Sequence, residues 1–186
     1  MEQLREWWDR SLEVVTTPTP FYAESEPADE YMDPLRFASV SAAVPAAVLA
    51  VLGLLGNLGR GVSGITGAIG VFLFIYIAGM YFFVVRTAVT DTLLRVVDGD
   101  DMVRTLDALS AASVLTLTLG WIPLVNLFTG VYAVYVESRG LEQFNDVSMP
   151  AAIIAILAGS LLSLVVGAAV LGIVVGTVGG VTGLFA

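Results

Sequence analysis

Hydrophobic and polar positions divide this chain into a short patterned head and a long apolar body. From Glu2 to Val15 the apolar residues Leu4, Trp7, Trp8, Leu12 and Val15 recur at helical spacing, with Glu6, Asp9, Arg10 and Glu13 on the other face. The pattern predicts an amphipathic helix. Two Trp beside Arg5 and Arg10 suit the headgroup layer of a membrane, so Leu4, Trp7, Trp8 and Leu12 are expected as interface anchors. The plainer alternative packs the same helix on the protein's own cytoplasmic loops. Thr16 to Pro34 then mixes Pro18, Pro20, Pro27 and Pro34 with Glu24, Glu26, Asp29, Glu30 and Asp33, which predicts an extended linker, with Phe21 and Tyr22 touching the membrane surface.

Beyond the linker, uncharged stretches run from Phe37 to Asn57, Gly61 to Val85, Ala108 to Val136 and Val147 to Ala186, each longer than the roughly 18 residues that mark a spanning helix. The first span is expected to open at Leu35 or Arg36. The second starts near Ser63, continues helically past Arg86 and stops at Asp98-Gly99. Ala108 to Val136 would extend about 43 Å as one helix, against a hydrocarbon core of about 30 Å, and Gly120, Pro123 and Asn126 interrupt it. A hairpin of two helices is therefore preferred. The last stretch predicts a helix from Pro150 to Thr177 with a Gly-rich tail, a re-entrant end at Gly179, Gly180 and Gly183 being the alternative.

The expected fold is thus all-α: a polytopic bundle of about five transmembrane helices in the cell membrane (36–186), behind an amphipathic helix and acidic linker (1–35). Orientation follows from Arg. With five spans one side collects Arg5, Arg10, Arg36, Arg86, Arg95, Arg104 and Arg139, and the other keeps Arg60; four spans weaken the bias. The N-terminus is therefore expected in the cytoplasm. It is acidic and amphipathic, unlike a cleaved signal peptide.

Composition narrows the chemistry. The chain is 57% hydrophobic with no Cys and no His, and all of its basic residues are Arg. Disulfides, Cys-ligated metal, His-based nucleophile arrangements and Lys Schiff bases are excluded. The formal charge of -9 speaks against nucleic acid as a partner, since phosphates require clustered positive charge. With the absence of Lys, it fits proteins of salt-loving archaea. Asp98, Asp100 and Asp101 suggest a solvated turn with a helix cap rather than a cation site, because the full calcium-loop pattern is missing. Asn57 and Asn126 sit at turns, where side-chain amides satisfy local backbone. No ionisable residue is expected inside a span, which counts against a transporter. Neither cofactor, metal, catalytic residue nor small-molecule substrate is evident. Ala168, Gly172, Gly176 and Gly180 fall four apart and offer a packing face, either within the bundle or for self-association.

Several short motifs come in an order that resembles the Yip family, integral membrane proteins named for binding Ypt/Rab GTPases. They are PTPFY with Pro20 and Phe21, DPLRFA with Pro34 and Phe37, GWIPLVN with Trp121 and Pro123, and YAVYVESRGL with Gly140. Asn145 lies where many relatives carry a His. The resemblance implies five spans, a cytoplasmic N-terminus and a non-enzymatic role in organising a membrane or recruiting other membrane proteins. A small transporter or channel, oligomeric around the last helix, is the alternative.

Overall fold

The computed structural model describes residues 2–57, 61–97 and 101–183, with 2–3, 97, 123 and 171–183 by backbone alone, and no strand occurs among them. The elements are α1 (Glu2–Thr16), α2 (Pro18–Glu24), α3 (Met32–Leu55), α4 (Val62–Leu94), α5 (Met102–Ala111), α6 (Pro123–Asn145) and α7 (Met149–Gly183). A 3₁₀ turn, Arg95–Val97, extends α4, and a π-helical segment, Val114–Thr118, follows α5. Met32–Leu55, Val62–Leu94 and Met149–Val170 are long and apolar enough to cross a membrane.

These helices close a ring: α3 packs on α4, α4 on α7, α7 on α6, α6 on α5 and α5 on α3. The expected hairpin between Ala108 and Val136 is present, with α5 and its π segment as one arm and α6 as the other. Gly120 makes the turn possible, because a Cβ there would run into the Thr116 carbonyl oxygen. Pro123 opens α6 at a position whose N–H needs no helical partner. The arm containing α5 is unlike the other long helices: residues 105–115 are buried without a break.

Proline explains part of this arrangement. Pro45 lies inside α3 and has no N–H, so the Ser41 carbonyl one turn earlier loses its helical donor. Thr118 of the π segment donates its hydroxyl to that carbonyl at 2.9 Å. The Ser41 hydroxyl in turn bonds the Phe37 carbonyl and accepts the Trp7 indole N–H at 2.9 Å. One serine thus ties α1, α3 and the π segment together, and the π geometry brings Thr118 within reach.

The head of the chain departs from expectation. Pro18 and Pro20 do not prevent structure, since Pro is tolerated in a first helical turn, and α2 forms with Pro18, Phe21 and Tyr22 buried. Phe21 and Tyr22 thus enter the protein interior and do not touch a membrane surface. α3 begins at Met32, slightly before the expected start. At the other end, the α7 backbone stays helical through Gly179 and Gly180 to Gly183, which corrects the expected break after Thr177 and the re-entrant alternative. Asp98, Gly99, Asp100 and Arg60 lie outside the described residues. Asp101 caps α5, accepting from the Val103 and Arg104 N–H groups, and Asn57 donates to the Gly53 carbonyl at 2.8 Å.

On α7 the close helix approach is at Gly159, where a Cβ would collide with the Thr90 side chain of α4. Ala168 is exposed, and the surroundings of Gly172, Gly176 and Gly180 lie outside the described residues. Thr118→Val should leave the Ser41 carbonyl buried without a donor and cost about 1–3 kcal/mol. Thermal unfolding in detergent reads this out. The same assay on Gly67→Ala, at a position with open space around it, should show no loss.

Candidate functional site

The inward stripe of α4 is polar where a soluble helix would be apolar. Phe83, Arg86, Thr87, Thr90, Asp91 and Leu94 recur at helical spacing and are buried, while Val84, Ala88 and Thr92 face outward. Arg86 donates from Nη1 to Glu137 Oε1 at 2.7 Å and from Nη2 to Oε2 at 2.5 Å. Its Nε donates to Ser160 Oγ at 2.8 Å. The two charged side chains are 8% and 0% exposed. One guanidinium therefore joins α4, α6 and α7, about 12 Å in from the ends of α4 and α6 at 1.5 Å per residue.

The expectation of no ionisable residue inside a span concerns depth in a membrane; what the structure adds is that Arg86 and Glu137 are buried within the helical bundle. The sequence reading put Arg86 at a membrane boundary and Glu137 beyond the end of an uncharged stretch. The bundle encloses both. Their signal was available in the chain: Arg86, Thr87, Thr90 and Asp91 share one helical face whose opposite side is apolar.

Two further acids are buried at the same end. Asp107 of α5 accepts from Arg10 Nη2 of α1 at 2.8 Å and from the Ala28 N–H at 2.9 Å. The Arg10 guanidinium lies over the rings of Phe21 and Phe37, at 5.6 and 5.2 Å from their centroids. Asp91 accepts from Thr105 at 3.2 Å and from Arg95 Nε at 3.0 Å, and Asn145 donates to the Thr105 hydroxyl at 2.8 Å. Every buried carboxylate described has a charged donor, as a low-dielectric interior requires.

Between these pairs lies Tyr22. Its hydroxyl donates to the Ala108 carbonyl at 3.0 Å, and its ring meets Phe21 and Phe144 edge-on. Gly140 admits it: a Cβ there would stand 2.8 Å from the ring and 2.9 Å from the Ala108 Cβ. Burial holds the phenol well above its ordinary pKa, and the negative charges of Glu137 and Asp107 push the same way.

The sequence-predicted residues are thus divided. Phe21, Phe37 and Gly140 meet around Arg10 and Tyr22, and Pro34 is buried near the start of α3. Pro20 is exposed, and Trp121 is partly exposed at the far turn. Of the expected interface anchors, Leu4, Trp8 and Leu12 are 57, 56 and 46% exposed along one stripe, whereas Trp7 is buried against Phe37. Trp7 is therefore a packing residue of the protein itself. No group of three or more acids poised for a metal occurs among the described residues.

Comparison with family models, curated proteins and solved structures finds no match.

Glu137→Ala should destabilise the bundle by about 3–5 kcal/mol by leaving Arg86 buried without its counter-ion. An Arg86→Met, Glu137→Met double variant should lose less than the sum of the two single changes. Denaturation in mixed micelles measures both. For Tyr22, the folded pKa is raised, so its contribution is complete below the unfolded value near pH 10 and is lost as pH rises through the folded value. A tyrosinate absorbance titration should show a late step that Tyr22→Phe removes.

Proposed function

We propose that the chain is a non-enzymatic, five-span membrane protein of Yip type that organises a membrane or recruits a protein partner through its charged end. The observation that supports this reading is the separation of surfaces along the bundle. Exposed Val51, Leu52, Ile69, Phe74, Leu127, Phe128, Leu161 and Val165 cover the flanks of α3, α4, α6 and α7. Within α4's most apolar stretch only 6% is buried inside the protein. Such a surface needs lipid or protein against it. The ion pairs described gather instead where α1, α2 and the inner ends of α3 to α6 meet.

In this reading α5 with its π segment and α6 complete the five spans, although α5 is enclosed by its neighbours rather than by lipid. The N-terminus is cytoplasmic by the Arg distribution. Exposed Glu24, Glu26, Asp29 and Glu30 then form an acidic edge on the cytoplasmic face, suited to a basic partner surface. The exposed stripe Leu4, Trp8 and Leu12 lies in the membrane interface.

A transporter or channel is the second reading, favoured by the buried Arg86–Glu137 pair, because ionisable groups at membrane depth often mark a pathway. Against it, both carboxylate oxygens of Glu137 are already engaged and the residue has no exposure.

Because the chain lacks Cys, single introduced Cys residues report topology cleanly. Cys at Glu30 and Glu142 should react with an impermeant maleimide only after the cytoplasmic side is opened, and Cys at Trp121 from outside. Affinity isolation in gentle detergent should then yield a stoichiometric partner that is lost when Glu24, Glu26, Asp29 and Glu30 are changed to Gln. Isolation of the protein alone, together with solute flux in liposomes, would replace this reading with the transporter.

A further inference from the structure

α1 and the first turns of α3 diverge around an open cleft of about 600 Å³, lined by Glu6 and Trp7 on one side and Asp33, Arg36, Phe37 and Val40 on the other. The cleft lies where α3 passes from its charged start into the uncharged run beginning at Phe37, the polar–apolar boundary of a candidate span. Its walls are correspondingly divided. Val40 and the small exposed edges of the largely buried Trp7 and Phe37 rings supply the apolar part, and Glu6, Asp33, Arg36 and Ser39 the charged and polar part. Arg10 also borders the cleft but is committed to Asp107. Arg36 is not so committed: its side chain is 68% exposed and holds Asp33 only at 3.4 Å.

We propose that this cleft is a binding site for a phospholipid headgroup. The proposal rests on the membrane reading above and adds a defined site to it. Arg36 donates to the phosphodiester, as a guanidinium does with its planar fork. The neighbouring carboxylates of Glu6 and Asp33 disfavour a headgroup that carries only negative charge. They suit one whose outer part donates hydrogen bonds, an amine or a glycerol hydroxyl. Below the headgroup, Val40 continues at helical spacing through Val44 and Val48 to Val51 and Leu55, and the last three are exposed. That row gives an acyl chain a track along α3. On the far side of α1 the exposed stripe Leu4, Trp8 and Leu12 places the same helix at headgroup depth.

The test is native mass spectrometry of the full chain in detergent, titrated with short-chain phosphatidylethanolamine and phosphatidylglycerol. Arg36→Ala should weaken lipid binding about tenfold, the loss of one charge-assisted bond, and Arg36→Lys should restore part of it. Arg5→Ala removes the same charge from an 86% exposed side chain on α1 outside the cleft and should leave binding unchanged. Equal weakening by Arg5→Ala would show diffuse charge attraction and overturn the proposal. So would unchanged binding in Arg36→Ala, or displacement of lipid by inorganic phosphate at comparable concentration. Membrane residence is read separately, from whether the protein stays with membranes after a high-salt, alkaline wash, so a failed cleft and a failed membrane reading give different results.

Discussion

A guanidinium held off water by three helices sets the terms for the rest of this bundle. Arg86 cannot be buried without Glu137, and Glu137 cannot be buried without Arg86, because either alone would be an uncompensated charge in a low-dielectric interior. Satisfying both fixes the rotation of α4 and α6 about their own axes and, through Ser160, the position of α7. Once α4 is turned so that Arg86 points inward, Thr87, Thr90 and Asp91 must follow, and the apolar residues between them face out. The polar stripe inside and the apolar flank outside are therefore one constraint seen from two sides. A soluble protein would invert it.

The same logic explains why the first helices are joined to the bundle. Asp107 is buried on α5, whose own Arg104 is engaged with Asp101 and the Phe144 carbonyl, and Arg10 of α1 supplies the charge. Pro45 leaves a carbonyl without a donor, Thr118 completes it, and the serine that carries this carbonyl also receives the Trp7 indole. Tyr22 fits against the bare backbone of Gly140 and caps the Ala108 carbonyl. α1 and α2 thus supply polar groups that α3, α5 and α6 lack, and deleting them would uncover a buried acid along with apolar surface.

Much of the architecture was legible in the chain because it follows from length and periodicity. The long uncharged runs give α3, α4 and α7; the Gly120 to Pro123 interruption gives the turn before α6; the heptad-like head gives α1. What sequence pattern missed is tertiary. Proline density suggested a linker, yet Pro18 and Pro20 occupy a helical first turn where they cost no hydrogen bond, and only the Gly140 slot reveals why Tyr22 is drawn inside. Trp7 and Trp8 are chemically identical neighbours on a helix. Their opposite fates depend on Ser41, thirty-four positions away. The charge pair was overlooked because Arg86 and Glu137 each terminate an uncharged run. Position along the chain then reads as a membrane boundary, and only the shared helical face of Arg86, Thr87, Thr90 and Asp91 argues otherwise.

The distinction between a clamp and a pathway turns on unused bonding capacity. A carboxylate that relays protons or binds cargo must be able to exchange partners, whereas Glu137 has both oxygens taken by a single bidentate donor and no access to solvent. Arg36 presents the opposite case: a long, weak contact to Asp33, a largely exposed side chain and open space beside it. Binding chemistry belongs where the charge is least satisfied. In this protein that condition is met at the rim of the α1–α3 cleft and along the acidic edge after α2, while the buried pairs hold those surfaces in register. With the strongest electrostatics spent internally, Arg36 and the acids after α2 are left exposed on the surface, and the bundle holds that charged face in shape.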